Sequence, residues 1–260
     1  MFFILSTMIK KEDFFTHANR IPFIDDKEYS IIPILSGTLD AFARTSYKSL
    51  YVVDYYKQNF LYVADNPLFL GALSADEVRE KNFEYYINHI YDTDLSLFLE
   101  IHNAFFSFIA DMPVENPTEY TLHHSFRIKT KTNKIIPVNH KHTPLRLTSE
   151  GQVWLALCTV SISSGENMDN IEITHRYGST KWQYNIQIQK WEKNSYVIEL
   201  SQEEKEVLRL ASQGYTMDKI ADCMYKSPDT VKGYRKHIFD KFGTNNITQA
   251  LTYAINRQLI

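Results

Sequence analysis

The residues of this 260-residue chain that have the type and spacing for chemistry fall into two groups, one of lysines and one of histidines. Near the C-terminus, Lys232 and Lys236 lie four residues apart with Gly233 between them, so a helix there carries both ammonium groups on one face. A helix face of this kind suits the phosphates and base edges of a nucleic acid.

The histidines His123, His140 and His142 form the second group. If strands over Tyr120–Thr130 and Ile135–Arg146 pair through a turn at Thr132 and Asn133, His123 faces His142 directly, with His140 on the same side. Three imidazoles so arranged suit zinc or copper. A polar stripe or a dimer surface explains the same pattern, and one bulge would separate the rings. We expect no resident metal and no required cofactor, and we keep these three as the candidate ligands.

Other candidate sites have weaker support. The chain has no phosphate-binding glycine loop, dinucleotide fingerprint, zinc-protease helix or nucleophile elbow, so no enzymatic activity is expected. Cys158 falls in an apolar strand pattern and is expected to be a small buried residue. Phe83, Tyr86 and Phe105 belong to an aromatic-rich set that either lines a ligand pocket or only fills the core.

Short helices must position the two lysines. Ser201 with Glu204 has the spacing of a capping box, and Gly214 predicts the end of that first helix. Thr216 predicts the cap of a second helix, and Ser227 with Pro228 predicts the start of a third.

A fourth helix is predicted around Thr248 to Arg257, with Leu251 and Ile255 as its inner stripe. From Leu200 onward the chain has nine Lys and Arg against seven Asp and Glu, a small positive excess. Phosphate neutralisation supplies most of the affinity for DNA, and so small an excess of positive charge gives one copy only weak binding. We therefore expect two copies of the chain to act together.

This C-terminal segment resembles the DNA-binding domain of the LuxR-type transcription regulators, a four-helix bundle with a central helix-turn-helix. The resemblance is carried by Leu200, Ser201, Glu204, Val207, Leu208, Gly214, Ile220, Ala221, Ser227, Thr230, Val231, Lys232, Ile238, Lys241, Gly243 and Ala250. It implies base contacts by Lys232, Gly233 and Lys236, phosphate contacts by Thr230, Arg235 and Lys241, and a dimer contact through the last helix at Thr248, Leu251 and Ile255. The alternative is a helical bundle that binds only another protein, which would make the chain an adaptor.

The preceding part of the chain predicts an α+β domain. Strands over Ser49–Tyr56 and Phe60–Ala64 precede short helices, a long helix to Asp111 and three further strands. With the stretches FLYVADNPLFLGAL and SADEVREKNFEYYINHIYDTDLSLF, this order resembles a PAS domain, a five-stranded antiparallel sheet with helices over one face. The resemblance implies a sensor of a small molecule or a dimerisation module.

Four segments are therefore expected. Residues 1–48 form a helical N-terminal extension, 49–164 a PAS-like domain, 165–199 a β-rich connector that extends the sheet or clasps the domains, and 200–260 the helix-turn-helix domain.

The expected compartment is a reducing cytoplasm, because Cys158 and Cys223 lie in different predicted domains and suggest no disulfide framework. The apolar opening MFFILSTMIKK is interpreted as a packing tail rather than a signal peptide. The expected partners are double-stranded DNA and a second copy of the chain, with a small molecule as a further candidate and no membrane association.

Overall fold

The computed structural model describes residues 9–46, 48–111, 116–163, 170–176, 180–194, 199–256 and 259–260. The chain divides into two units, Met1–Ser195 and Tyr196–Ile260. The predicted N-terminal extension and residues 165–195 of the predicted connector thus belong to the same unit as the predicted sheet. Most of the predicted packing tail lies outside the described residues.

An antiparallel sheet organises the N-terminal unit. Its eight strands among the described residues follow the spatial order β2-β1-β5-β4-β3-β6-β7-β8. Their bounds are β1 Ser49–Asp54, β2 Asn59–Val63, β3 Tyr120–Lys129, β4 Ile135–Leu147, β5 Val153–Ile162, β6 Glu172–His175, β7 Lys181–Asn185 and β8 Lys190–Asn194.

The prediction of a mixed α+β unit is confirmed, but the prediction of five strands was wrong. The connector adds β6, β7 and β8 to the free edge of β3, where Thr121 pairs with Thr174 and His123 with Glu172. A free sheet edge exposes unpaired N–H and C=O groups, and the added strands satisfy them. Residues 195–198 of the predicted connector lie outside the described residues.

Helices pack against this sheet. Pro33 lies in the first turn of the helix Ile32–Ala43, where its fixed φ is favourable and no N–H is needed. The helices of this unit are α1 Ile32–Ala43, α2 Pro67–Leu70, α3 Ala75–Lys81, α4 Glu84–His89 and α5 Asp92–Asp111, with short 3-10 helices at Lys11–Phe14, Asp26–Ile31 and Pro117–Glu119.

Aromatic rings fill the core between α5 and the sheet. Phe98, Ile101 and Phe105 of α5 are buried. On the sheet, the ring of Tyr51 stacks on Phe69 with centroids 4.2 Å apart.

The C-terminal unit is helical, and its helices begin at the predicted caps. Ser201 and Glu204 form the predicted capping box, and Thr216 and Ser227 each accept a backbone N–H three residues on. Gly214 follows the first helix with a φ of +82°. The helices are α6 Gln202–Ser212, α7 Met217–Met224, α8 Pro228–Phe242 and α9 Ile247–Asn256.

The inner face of α9 differs from the prediction. Its fully buried residues are Ala250 and Ala254, whereas Leu251 is half-buried and Ile255 is 54% exposed. Small side chains let α9 approach its neighbours closely, so the larger residues turn to the flank. Among the described residues, no helix has the length and hydrophobicity to cross a membrane.

Candidate nucleic-acid interface and buried histidine network

Helix α8 presents Lys232 and Lys236 on its exposed side. The helix starts at Ser227, whose Oγ accepts the Thr230 N–H at 3.2 Å. A Cβ added to Gly233 would meet no atom within 4 Å, so this position leaves the helix backbone open beside the two lysines. The structure thus places the three predicted base-contacting residues together on one helix.

The three predicted phosphate contacts have different surroundings. Thr230 is exposed at the start of α8 and its hydroxyl lies 2.9 Å from Ser227 Oγ. Arg235 is half-buried, with Nη1 3.6 Å from the Met217 sulfur and its guanidinium over the ring of Phe239. Phosphate binding by Thr230 and Arg235 stays a prediction.

Lys241 makes an interhelical ion pair. Its Nζ donates to Glu204 Oε2 at 2.7 Å and to the Glu199 carbonyl at 2.9 Å. Glu204 is only 3% exposed and also accepts the Ser201 N–H, so one carboxylate caps α6 and holds the end of α8. Sequence reasoning identified the cap and missed the ion pair. The arrangement gives Lys241 a structural role, while its predicted phosphate contact stays a prediction.

The candidate dimer residues lie along α9. Thr248 and Ile255 are exposed, and Leu251 packs at the margin of the helical core. This leaves two of the three side chains accessible for the dimer contact, which stays a prediction.

The predicted histidine register was wrong by one residue. His123 pairs with Lys141, and His124 pairs with His140. The loop spans Thr130 to Lys134 and is therefore centred on one residue, whereas the prediction centred it on a pair of residues. Within this loop, Asn133 adopts a φ of +58°. A one-residue slip reverses which side chains face the core. His123 therefore points away from His140 and His142 and contacts Thr174 Oγ1 at 2.9 Å.

The residues that the structure does bring together are four buried histidines, His102, His124, His140 and His142. Among the described residues, no cluster of histidine, cysteine and carboxylate side chains has the geometry of a metal site. The signal in the sequence that pointed to His124 was the alternation of inward and outward side chains along β3. Which histidines then face one another depends on the strand register, and the loop sets that register.

Burial keeps these histidines neutral. It lowers the pKa of His102 to about 4 and that of His124 to about 3, and it holds the pKa values of His140 and His142 well below the usual range. Burial also raises the pKa of Tyr51, which lies among them. The network is therefore uncharged at neutral pH.

Hydrogen bonds assign the tautomers of one pair. Asn103 donates through Nδ2 to the Asp13 carbonyl, so its Oδ1 must accept from His102 Nδ1–H at 3.2 Å. His102 Nε2 then accepts from the Tyr55 hydroxyl at 3.1 Å, and Tyr55 accepts from His142 Nε2–H at 3.0 Å.

The predicted aromatic pocket residues Phe83, Tyr86 and Phe105 are buried within the core. None of them lines the cavity between α5 and β3. Cys158 is also fully buried, and burial raises the pKa of its thiol. The predicted pocket stays a prediction, and its three rings contribute to packing.

Residues 199–254 match the family described as bacterial regulatory proteins, luxR family. This confirms the resemblance predicted for the C-terminal segment, which is a LuxR-family helix-turn-helix domain. None of the curated proteins matches the chain significantly.

Similar solved structures include the response regulator ChrA of a haem-sensing two-component system, 37% identical over 24% of this chain and 31% of ChrA, with a TM-score of 0.24. A LuxR-type receptor, the VqmA dimer of Vibrio cholerae, is 17% identical over 85% of this chain and 87% of its own, with a TM-score of 0.35. The PAS-B domain of Drosophila melanogaster Cycle is 12% identical over 44% of this chain and 98% of its own, with a TM-score of 0.33. These TM-scores are low and do not establish a shared overall fold.

Proposed function

We propose that this chain is a sequence-specific transcription regulator that binds double-stranded DNA through α8 as a homodimer. The supporting observation is that Lys232 and Lys236 are exposed, with the half-buried Gly233 between them, on a helix of a LuxR-family domain. In a helix-turn-helix, such a helix enters the major groove and its side chains reach base edges.

The small net positive charge of the helix-turn-helix domain is an argument for dimerisation. Asp229 and Asp240 are exposed on α8 and offset part of the positive potential of the lysines. Two copies on a two-fold site double the number of contacts, and α9 offers the exposed side chains of Thr248 and Ile255 for the contact between them. The N-terminal unit, with its PAS-like order of strands, then receives the signal that controls this binding.

The test is selection of DNA sequences by the full-length protein, followed by fluorescence anisotropy across salt concentrations. We expect Lys232→Ala with Lys236→Ala to weaken binding at least about tenfold, since each base contact discriminates by roughly 1–3 kcal/mol. The slope of log affinity against log salt should fall by about one for each lost phosphate contact.

Lys205→Ala is the matched control, because Lys205 is an exposed lysine of the same unit on α6. Its affinity should stay near that of the wild type. A wild-type protein with no salt-sensitive, sequence-preferring complex would contradict the proposal, as would a complex that survives loss of both α8 lysines.

A further inference from the structure

The turn between α7 and α8 presents a tyrosine that the core of the C-terminal unit does not use. Tyr225 is 95% exposed, the highest value among the exposed large apolar and aromatic side chains of the described residues. Its ring is therefore surrounded by solvent. The neighbouring Met224, the last residue of α7, is half-buried and packs against the core of the unit instead.

The backbone conformation of this turn is unusual for tyrosine. Tyr225 ends α7 in the left-handed αL conformation, with a φ of +53° and a ψ of +43°. Its N–H donates to the Asp222 carbonyl at 3.2 Å, and the N–H of Lys226 donates to the Ala221 carbonyl at 3.0 Å. Helix ends of this kind favour glycine, because a side chain at a positive φ crowds the backbone. The turn of a helix-turn-helix often contains glycine.

Folding alone therefore does not account for a tyrosine at this position. Among the described non-glycine residues with a positive φ, Tyr225 is aromatic, and the others are alanine, asparagine or glutamine. A bulky residue held in an unfavourable backbone conformation is a feature that clusters at functional sites. The exposed ring and the unfavourable conformation occur at the same residue, so both point to a contact outside the unit.

The position of this turn indicates what the contact is. Tyr225 lies two residues before Ser227, which caps α8. In a helix-turn-helix the second helix enters the major groove while the first crosses the DNA backbone, so the turn that joins them lies close to phosphates. Lys226 is exposed in the same turn and offsets the exposed carboxylate of Asp222, which is nearby in sequence.

We propose that the hydroxyl of Tyr225 donates a hydrogen bond to a DNA phosphate at the edge of the groove that α8 enters. Tyrosine is among the side chains that contact phosphates in protein–DNA complexes, and such contacts position the protein without reading the sequence. A phenol is neutral at pH 7, so this contact adds affinity without changing the charge of the domain. The inference rests on the proposed function, since it adds a contact to the same DNA complex.

Tyr225→Phe tests the hydroxyl alone. The affinity of the full-length protein is measured by fluorescence anisotropy on the selected DNA site and on a copy with one altered base pair, across salt concentrations. We expect the affinity for both DNAs to fall about tenfold, because a hydrogen bond to a charged acceptor is lost and the contact does not depend on sequence. The slope of log affinity against log salt should stay unchanged, because a neutral donor releases no counterion.

Tyr225→Gly tests the ring and the turn together. Glycine adopts a positive φ without strain, so the melting temperature of the C-terminal unit should not fall, while the affinity for DNA should fall at least as much as for Tyr225→Phe. Gln58→Gly is the matched control, since Gln58 has the same φ of +53° in the N-terminal unit. This substitution should leave the affinity for DNA near that of the wild type.

Replacement of single phosphates identifies the partner of the hydroxyl. Methylphosphonate groups, each of which removes the charge of one phosphate, are placed one at a time around the selected site. At one phosphate in each half-site, the replacement should weaken binding by the wild type and have little further effect on Tyr225→Phe. A tyrosine that only supports the turn would show no such coupling.

If both Tyr225 variants bind DNA as tightly as the wild type, or if no phosphate shows coupling, the inference is wrong. An effect on transcription in vitro with unchanged DNA affinity would assign Tyr225 to a protein partner and would also overturn it. If affinity depends on Lys232 and Lys236 but not on Tyr225, the proposed function stands and this contact alone is rejected. A wild-type protein that binds no DNA rejects both.

Discussion

At the scale of single residues, the lysines of α8 differ in role according to where they lie on the helix. Lys232 and Lys236 are exposed, whereas Lys241 is held by a buried carboxylate. Gly233 stands between the exposed lysines although nothing in the fold requires the absence of a side chain there. Glycine within a helix is destabilising relative to alanine, and the proposed DNA contact would account for a glycine at this open position.

Gly233→Ala tests this explanation. We expect the C-terminal unit to become more stable by about 0.5–1 kcal/mol. We expect the affinity for DNA to fall, because in the proposed complex the new methyl group would stand where the helix backbone meets the groove. Gly37→Ala is the control, since Gly37 lies in α1 and its added Cβ also meets nothing within 4 Å. Thermal melting and anisotropy measure the two effects. An unchanged DNA affinity for Gly233→Ala would place Gly233 away from the DNA.

At the scale of elements, local signals predicted the helices and failed for the pairing of strands. The caps at Ser201, Thr216 and Ser227 were predictable because a cap depends on residues within one turn. The β3–β4 register depends on whether the loop has an odd or even number of residues, and the positive φ of Asn133 is set by the closed hairpin. The strand β8, Lys190–Asn194, is rich in charge and lacks the apolar alternation that identifies a strand.

The ion pair between α6 and α8 predicts a stability effect. Lys241→Met leaves the buried Glu204 carboxylate without its cation, and we expect a loss of roughly 1–3 kcal/mol, or at least about 4 °C in the melting temperature of this unit. Lys236→Met removes an exposed ammonium on the same helix and should leave the melting temperature unchanged while weakening DNA binding. If both variants melt alike, the ion pair does not stabilise the unit.

At the scale of the whole molecule, the two units respond differently to acid because their histidines differ. The N-terminal unit buries four neutral histidines, surrounded by the neutral side chains of Tyr51, Tyr55 and Tyr86. The C-terminal unit has a single histidine, the exposed His237. Protonation of histidines therefore acts on the N-terminal unit and leaves the helix-turn-helix largely unaffected.

The sign of the pH effect follows from the lowered pKa values. Below about pH 6.5 the unfolded chain binds protons at these histidines while the folded unit does not, so stability is full above that pH and falls as pH decreases toward about 4, the folded pKa of His102. Because the unfolded histidine is only half protonated at pH 6.5, each one contributes about 1 kcal/mol between pH 6.5 and 5.5, and four contribute on the order of 4 kcal/mol. This is close to the lower end of the stability of a typical domain, about 5 kcal/mol, so we expect the N-terminal unit to be markedly less stable at pH 5.5 than at pH 7.5. Urea unfolding at pH 7.5, 6.5 and 5.5 measures how the free energy of unfolding depends on pH.

His142→Gln keeps an N–H donor for Tyr55 and should reduce the slope of the free energy of unfolding against pH by the contribution of about one histidine. His237→Gln should not change this slope. A free energy of unfolding that stays constant from pH 7.5 to 5.5 would show that these histidines are not held neutral by the fold.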